Sequence, residues 1–214
     1  MIHFNRRLFL TFLSLLCLAG LANAQAQKFE EGLDYRVLPI AQPVDVKGKV
    51  EVIEFFWYGC PHCYDFDPDL MAWVKRQQKD VAFRRVPVAF RSDFLPHSQL
   101  FYTLQAMGKS NLDIKVMDAI HKDNKRLLTE SEIADWAASQ GLDRNTFMAT
   151  YRSFAVVSKA RAANQLAEDY HIDGVPTVVM QGKYVTSPSI AGTKAKAILV
   201  MDYLVEKIRK DKYK

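Results

Sequence analysis

The sequence predicts an α/β chain in which a small sheet is interrupted by an all-helical block. Three observations carry this expectation. Short β-branched and aromatic runs, the mark of buried strands, lie near residues 52–57 and 81–90 and again at 177–181 and 184–186. Between the second and third of these runs, strand signals stop for about eighty residues and helical periodicity takes over. The run at 52–57 passes through Gly59 straight into Cys60-Pro61-His62-Cys63. Pro61 there suits a first helical position, because its φ is already helical and its missing N–H would have had no partner.

The elements follow in order. Residues 1–24 read as a secretory signal peptide: Arg6 and Arg7, an apolar stretch over 8–21 too short to span a bilayer, then a small-x-small cleavage site at Ala22-Asn23-Ala24. Leu16 before Cys17 argues against a lipoprotein. A first strand is expected at 35–39, a turn at Lys47-Gly48-Lys49, the buried strand, and then a helix from the cysteines to about residue 78 that Pro68 should kink. After the third strand come helices at 98–107 and 112–121. Thr129 to Glu132 reads as a capping box ahead of Ile133 and Trp136, and Gly141 closes that helix. Asp143 caps a short helix, and a long alanine-rich helix occupies 153–170 with Val156, Ala160, Ala163 and Ala167 on one face. A hairpin turning at Gln181-Gly182-Lys183 and a final helix capped by Thr193 complete the chain.

Composition narrows the function classes. Removing Arg6 and Arg7 leaves 27 of the 29 basic residues against 24 acidic ones, a formal charge of +3. Basic residues from Lys194 to Lys214 concentrate at the C-terminal end but form no interleaved basic–aromatic stripe, so they read as a solvated helix face and a frayed tail rather than a nucleic-acid surface. Two cysteines remain after the signal peptide, three residues apart, so disulfides are not staples here and the core must hold the fold. The cysteines are there for chemistry. Unpaired N–H groups and the positive end of the helix dipole favour an anion at Cys60. A spacing of three puts Cys63 on the same face, close enough to close a disulfide. A cationic His62 would add positive potential beside the thiolate. A zinc site would need ligands beyond one Cys-x-x-Cys pair, and a structural disulfide normally closes a longer loop.

Cys60-Pro61-His62-Cys63, Glu54-Phe55-Phe56 before it, Tyr64 after it and Gly174-Val175-Pro176-Thr177 near the end occur in this element order behind a signal peptide. With them the chain resembles the bacterial periplasmic DsbA-type thiol:disulfide interchange proteins, a branch of the thioredoxin superfamily. The resemblance spans essentially all of 25–214 and implies a thioredoxin fold with an inserted all-helical domain. The thioredoxin-like domain would cover 25–95 and 160–214, and the insertion 96–159. A low-pKa cysteine and an oxidising couple are known properties of that family. By position, Cys60 would be the nucleophile, Cys63 the more buried resolving cysteine and His62 a stabiliser of the Cys60 thiolate. Pro61 sits inside the motif. Pro176 would be a cis-proline facing the disulfide, with Val175 offering backbone hydrogen bonds to a substrate strand. Glu54 would be a buried acid moving protons to and from Cys63, paired with Arg85 or Arg84. Read without the family, Glu54 could instead face a sheet edge and water.

The implied activity is a dithiol oxidase that donates its disulfide to reduced, unfolded exported proteins in the periplasm. A membrane quinone reductase of the DsbB type would reoxidise it. No cofactor, metal or nucleic acid is implied, and a monomer is expected. A disulfide reductase or isomerase on the same fold is the nearest alternative, although only about 25 residues between the signal peptide and the strand at Val50 leave no room for the N-terminal dimerisation domain of such proteins. A redox-inactive chaperone-like module is the second, with Trp57 and Tyr58 as an apolar rim; core packing is the plainer reading of Trp57. His97, His121 and His171 read as surface residues.

Overall fold

The computed structural model describes residues 28–212, so the signal peptide expected over 1–24 lies outside the described residues. Strands β1 (Arg36–Val37), β2 (Val50–Phe56), β3 (Val81–Pro87), β4 (Thr177–Met180) and β5 (Tyr184–Thr186) form one sheet in the order β1-β5-β4-β2-β3. β2 is central, parallel to β3 and antiparallel to β4, and every one of its residues is buried. A parallel pair needs a crossover, and helix α1 (Pro61–Arg76) supplies it between β2 and β3.

Alternation along β2 sorts its side chains between two helical layers. Val50 and Val52 pack with Phe66, Leu70 and Trp73 of α1 and with Val200 and Leu204 of the C-terminal helix (Lys194–Lys212). Ile53 and Phe55 face the other way, onto Ala163 and Ala167. Those alanines belong to the long helix Phe154–Asp169, which also packs against helix α2 (Leu95–Ala106). It therefore crosses the boundary expected at 160.

The helical block consists of α2, α3 (Asp113–His121), α4 (Glu130–Ser139) and α5 (Arg144–Tyr151), followed by that long helix, α6 (Phe154–Asp169). Leu100, Leu104, Val116, Ile133, Trp136 and Phe147 form a core that continues into Phe56, Tyr58, Cys60 and Cys63. The block thus covers the cysteine end of the sheet. Its helices start where their caps stand. Thr129 and Glu132 form the capping box, Asp143 accepts from the Thr146 N–H at 2.8 Å, and Ser153 accepts from the Val156 N–H at 3.3 Å. Each such cap contributes about 1 kcal/mol.

Several boundaries differ from expectation. Helix α2 starts at Leu95, ahead of residue 98, because Pro96 lies in its first turn after a 3₁₀ turn at Ser92–Phe94. The first strand shrinks to two residues, and α1 continues through Pro68 to Arg76. The three-residue hairpin loop turns through Gln181 (φ 53°) and Gly182 (φ 61°), the central pair of a turn that the Lys183 N–H closes on the Met180 carbonyl at 3.1 Å. A short helix α7 (Pro188–Ala191) was not expected. Ser187 caps it, with Pro188 in its first turn and Gly192 at φ 90° ending it, ahead of the C-terminal helix α8 (Lys194–Lys212). Among the described residues no helix is long and apolar enough to cross a membrane.

Candidate active site

Cys60 is the residue that caps α1, with Pro61 following in the first turn. Its Sγ accepts from the Cys63 N–H at 3.3 Å, where an ordinary helix start would place a serine or aspartate oxygen. An anionic sulfur there gains the unpaired N–H groups and the positive helix end. The Cys60 thiol accordingly falls to about 6: a hydrogen bond from the Cys63 thiol lowers it most, burial opposes, and the Cys63 and His62 N–H groups and the His62 charge add to the fall. Pro61 and His62 are exposed beside it. Cys63 is fully buried, and burial together with the neighbouring Cys60 pushes its thiol far up. Both cysteines are free thiols, so this is the dithiol form.

The segment 174–177 faces them. The Val175–Pro176 bond is cis, and the Cys60 thiol donates to the Val175 carbonyl at 3.4 Å. Pro176 is buried and Val175 half-buried, while the Thr177 hydroxyl donates to the Gly174 carbonyl at 2.7 Å. Gly59, just before Cys60, has the Trp57 indole where a Cβ would stand, so any larger residue would displace that ring.

Glu54 has no exposure, which removes the sheet-edge alternative. Its Oε2 accepts from Arg85 Nε at 2.6 Å. Register decides between the two arginines: Glu54 stands opposite Arg85 on β3, on the face of the sheet that carries α1. Arg84 points to the other face, 3.4 Å from Glu51 and 3.6 Å from Asp45. Arg85 also donates to Asp67, which α1 places one turn after Cys63. Asp67 was not singled out in the sequence, although its spacing of four from Cys63 puts it on the same helix face. Burial raises the Glu54 carboxyl despite the lowering effect of Arg85, and Glu54 in turn raises Cys63. Burial alone would lower Arg85, but Glu54 and Asp67 outweigh it and keep the guanidinium charged.

Three sequence expectations are corrected. Tyr58 is no rim residue: it is 1% exposed, and its hydroxyl donates to Asp113 Oδ1 at 2.5 Å. Burial lifts the Asp113 carboxyl to about 6. His97 is not on the surface but buried between Trp57 and Tyr58, its Nε2 3.0 Å from the Arg126 carbonyl, and burial drops it to about 4. His121 is half-buried against Tyr58 and Tyr64. His171 alone of the three is exposed. Trp57 is half-buried and stacks on Phe94 at 3.9 Å between ring centroids.

Comparison with known proteins agrees with this geometry. A family model described as a DSBA-like thioredoxin domain matches residues 91–197, which takes in the helical block, the cis-proline segment and the hairpin. A thiol:disulfide interchange protein DsbA of Burkholderia cepacia is 49% identical over 202 residues, 94% of this chain and 95% of that protein. One from Pseudomonas aeruginosa is 42% identical over 206 residues, 95% and 97% of the two chains. Among solved structures, P. aeruginosa DsbA superposes with a TM-score of 0.83 at 41% identity, over 87% of this chain and 97% of that one. The oxidoreductase DsbA of Xylella fastidiosa does so with 0.79 at 31% identity, over 86% and 100%.

Proposed function

The chain belongs to the DsbA family of thiol:disulfide interchange proteins and is a thiol:disulfide oxidoreductase with a thioredoxin-like fold, and from that premise we propose that exchange runs through Cys60. The observation that carries this reading is the asymmetry of the pair. Cys60 Sγ sits at the helix N-terminus with its thiol lowered, whereas Cys63 is sealed beneath it with its thiol raised.

In the oxidised enzyme a substrate thiolate attacks Cys60 Sγ. The Cys60–Cys63 bond breaks, its electron pair goes to Cys63 Sγ, and a mixed disulfide forms at Cys60. A second substrate thiolate then attacks the substrate sulfur of that bond and expels the Cys60 thiolate. Two electrons pass from substrate to enzyme. Cys60 is a good leaving group because the Cys63 thiol and the N–H groups at the helix end stabilise its anion, and a low-pKa leaving thiol departs fast. Cys63 must take up a proton in the buried interior, and Glu54, a carboxyl raised toward neutrality, is the acid that supplies it. Arg85 stays cationic throughout, so it orients Glu54 and shuttles no proton itself. Val175 and Pro176 offer the edge against which an extended substrate segment lies. His62 stabilises the thiolate.

The substrates in this reading are reduced, unfolded exported proteins in the periplasm, reached through the signal peptide over 1–24, and a membrane quinone reductase of the DsbB type restores the disulfide. The chain acts as a monomer in two parts, a thioredoxin-like domain over 25–95 and 160–214 and an insertion over 96–159, with α6 running from one into the other. The roles of the two cysteines are tested by alkylating the reduced protein with limiting iodoacetamide near pH 7 and mapping the label. Cys60 is expected to react first, and first labelling at Cys63 would reverse the assignment.

A further inference from the structure

The cysteine loop is gripped from outside the strand and helix that carry it. Tyr58 and Tyr64 flank the Cys60–Cys63 motif, and α3 of the helical block reaches both. Asp113, at its start, accepts from the Tyr58 hydroxyl at 2.5 Å, and Asp118 accepts from the Tyr64 hydroxyl at 2.7 Å. His121, at its end, holds both residues at once. Its Nε2 lies 2.8 Å from the Tyr58 carbonyl, and its ring stacks on Tyr64 at 4.8 Å and 16°. A carbonyl can only accept, so Nε2 carries the proton and donates.

The position of that carbonyl matters for the sulfur. β2 ends at Phe56 and α1 begins at Pro61, so residues 57–60 lie in neither element. The bond from the Cys60 N–H to the Trp57 carbonyl, at 3.0 Å, closes this turn, and His121 pins its middle. The turn in turn sets where Cys60 Sγ stands relative to the Cys63 N–H. Tyr64 is the next residue of α1 after Cys63, so the same imidazole fixes both sides of the motif.

We propose that His121 is a positioning residue for thiol–disulfide exchange, holding the Tyr58 carbonyl and the Tyr64 ring so that Cys60 Sγ stays seated on the N–H groups of α1. The helical block then tunes the redox couple as well as covering it. The effect of His121 passes through Tyr58 and Tyr64. The inference rests on the assignment of Cys60 as the reactive thiol.

The two contacts are separable. His121→Phe keeps an aromatic ring over Tyr64 and removes the N–H, whereas His121→Gln keeps an N–H donor and removes the ring. Each variant and the wild-type protein are equilibrated with glutathione buffers, and the Cys60 thiolate is titrated by its ultraviolet absorbance. One hydrogen bond that favours the thiolate geometry corresponds to about three- to tenfold in an equilibrium constant. His121→Phe is therefore expected to oxidise glutathione about three- to tenfold less completely, roughly 15–30 mV less oxidising, with the Cys60 titration moved upward. His121→Gln should recover most of that loss. If His121→Phe does not fold, His121→Asn, too short to reach the carbonyl, carries the same expectation. A merely structural His121 would lower the melting temperatures of both redox forms together and leave the glutathione constant and the titration unchanged, and that result would overturn the proposal. If the wild-type protein itself showed no exchange through Cys60, the function proposed above would fail, and this inference with it.

Discussion

Arg85→Met should be among the costliest single substitutions in the sheet, and by an amount that depends on pH. The Arg85 side chain is 10% exposed and lies between Glu54 at 0% and Asp67 at 8%. Its guanidinium also sits 5.0 Å from the centre of the Phe56 ring, so little water reaches this cluster. Taking the cation away leaves buried carboxylates with no compensating charge, and the cheapest escape is protonation. Burial already raises Glu54 with Arg85 in place, so the loss is the further cost of neutralising the carboxyls once the cation is gone. Removing one partner of a buried pair typically costs roughly 3–5 kcal/mol, and that is the size expected at pH 7. The sign follows from linkage. A carboxyl raised in the folded state makes folding less favourable as pH rises between its free and folded values. Removing Arg85 raises Glu54 further, so the deficit grows with pH. At pH 5, closer to the free carboxyl value of 4.5, protonation is easier and the deficit should be clearly smaller than at pH 7. Urea unfolding of the reduced protein, followed by tryptophan fluorescence at both pH values, measures it. The double variant Arg85→Met/Glu54→Gln should recover most of the loss. A deficit below about 1 kcal/mol at pH 7, or one that does not change with pH, would refute the reasoning.

The remaining predictions concern the thiols and the second buried acid. Cys60, lowered from 9.0 to about 6, should titrate near that value in the reduced protein by thiolate absorbance, with no such transition in Cys60→Ser. A depressed acid stabilises the reduced fold above its free value and loses that contribution as pH falls through the folded one. The reduced form should therefore gain stability relative to the disulfide form between about pH 6 and 9, as paired melting curves would reveal. At pH 7 the gain is about tenfold in population, on the order of 1 kcal/mol before solvent screening reduces it. Tyr58→Phe removes the hydroxyl donor of Asp113 and leaves a buried acceptor unpaired, which should cost about 1–3 kcal/mol near pH 7. Since Asp113 is already raised to about 6, the cost should shrink below that pH, a trend chemical denaturation across pH 5–8 would follow.

What the sequence revealed was local. Cys60-Pro61-His62-Cys63 at a helix start, the Thr129–Glu132 box, the Asp143 cap and the Gln181-Gly182 turn each depend on neighbours within four residues, and each stands where its spacing put it. The choice between Arg84 and Arg85 was not legible. It depends on the register of β2 against β3, which a run of consecutive strand residues does not reveal. Tyr58 and Asp113 are 55 positions apart, so only the packing of α3 on the cysteine loop joins them. His97 was misplaced for the same reason: alone beside Pro96 it looks like a surface residue, yet the folding of α2 against Trp57 and Tyr58 buries it. The helix at Pro188–Ala191, by contrast, carried a readable Ser-Pro start and glycine stop and was simply short.

The Cys63 thiol and the N–H groups at the helix end together stabilise the Cys60 thiolate enough to make the Cys60–Cys63 disulfide a donor. The reduction potential of the chain lacking residues 1–24, equilibrated in glutathione buffers at pH 7 and read by thiol trapping, tests it directly. The expected result is a couple clearly more oxidising than glutathione, with the dithiol form the more thermally stable of the two. A potential near thioredoxin's, about −270 mV, with the disulfide form the more stable, would contradict it and make this protein a reductase.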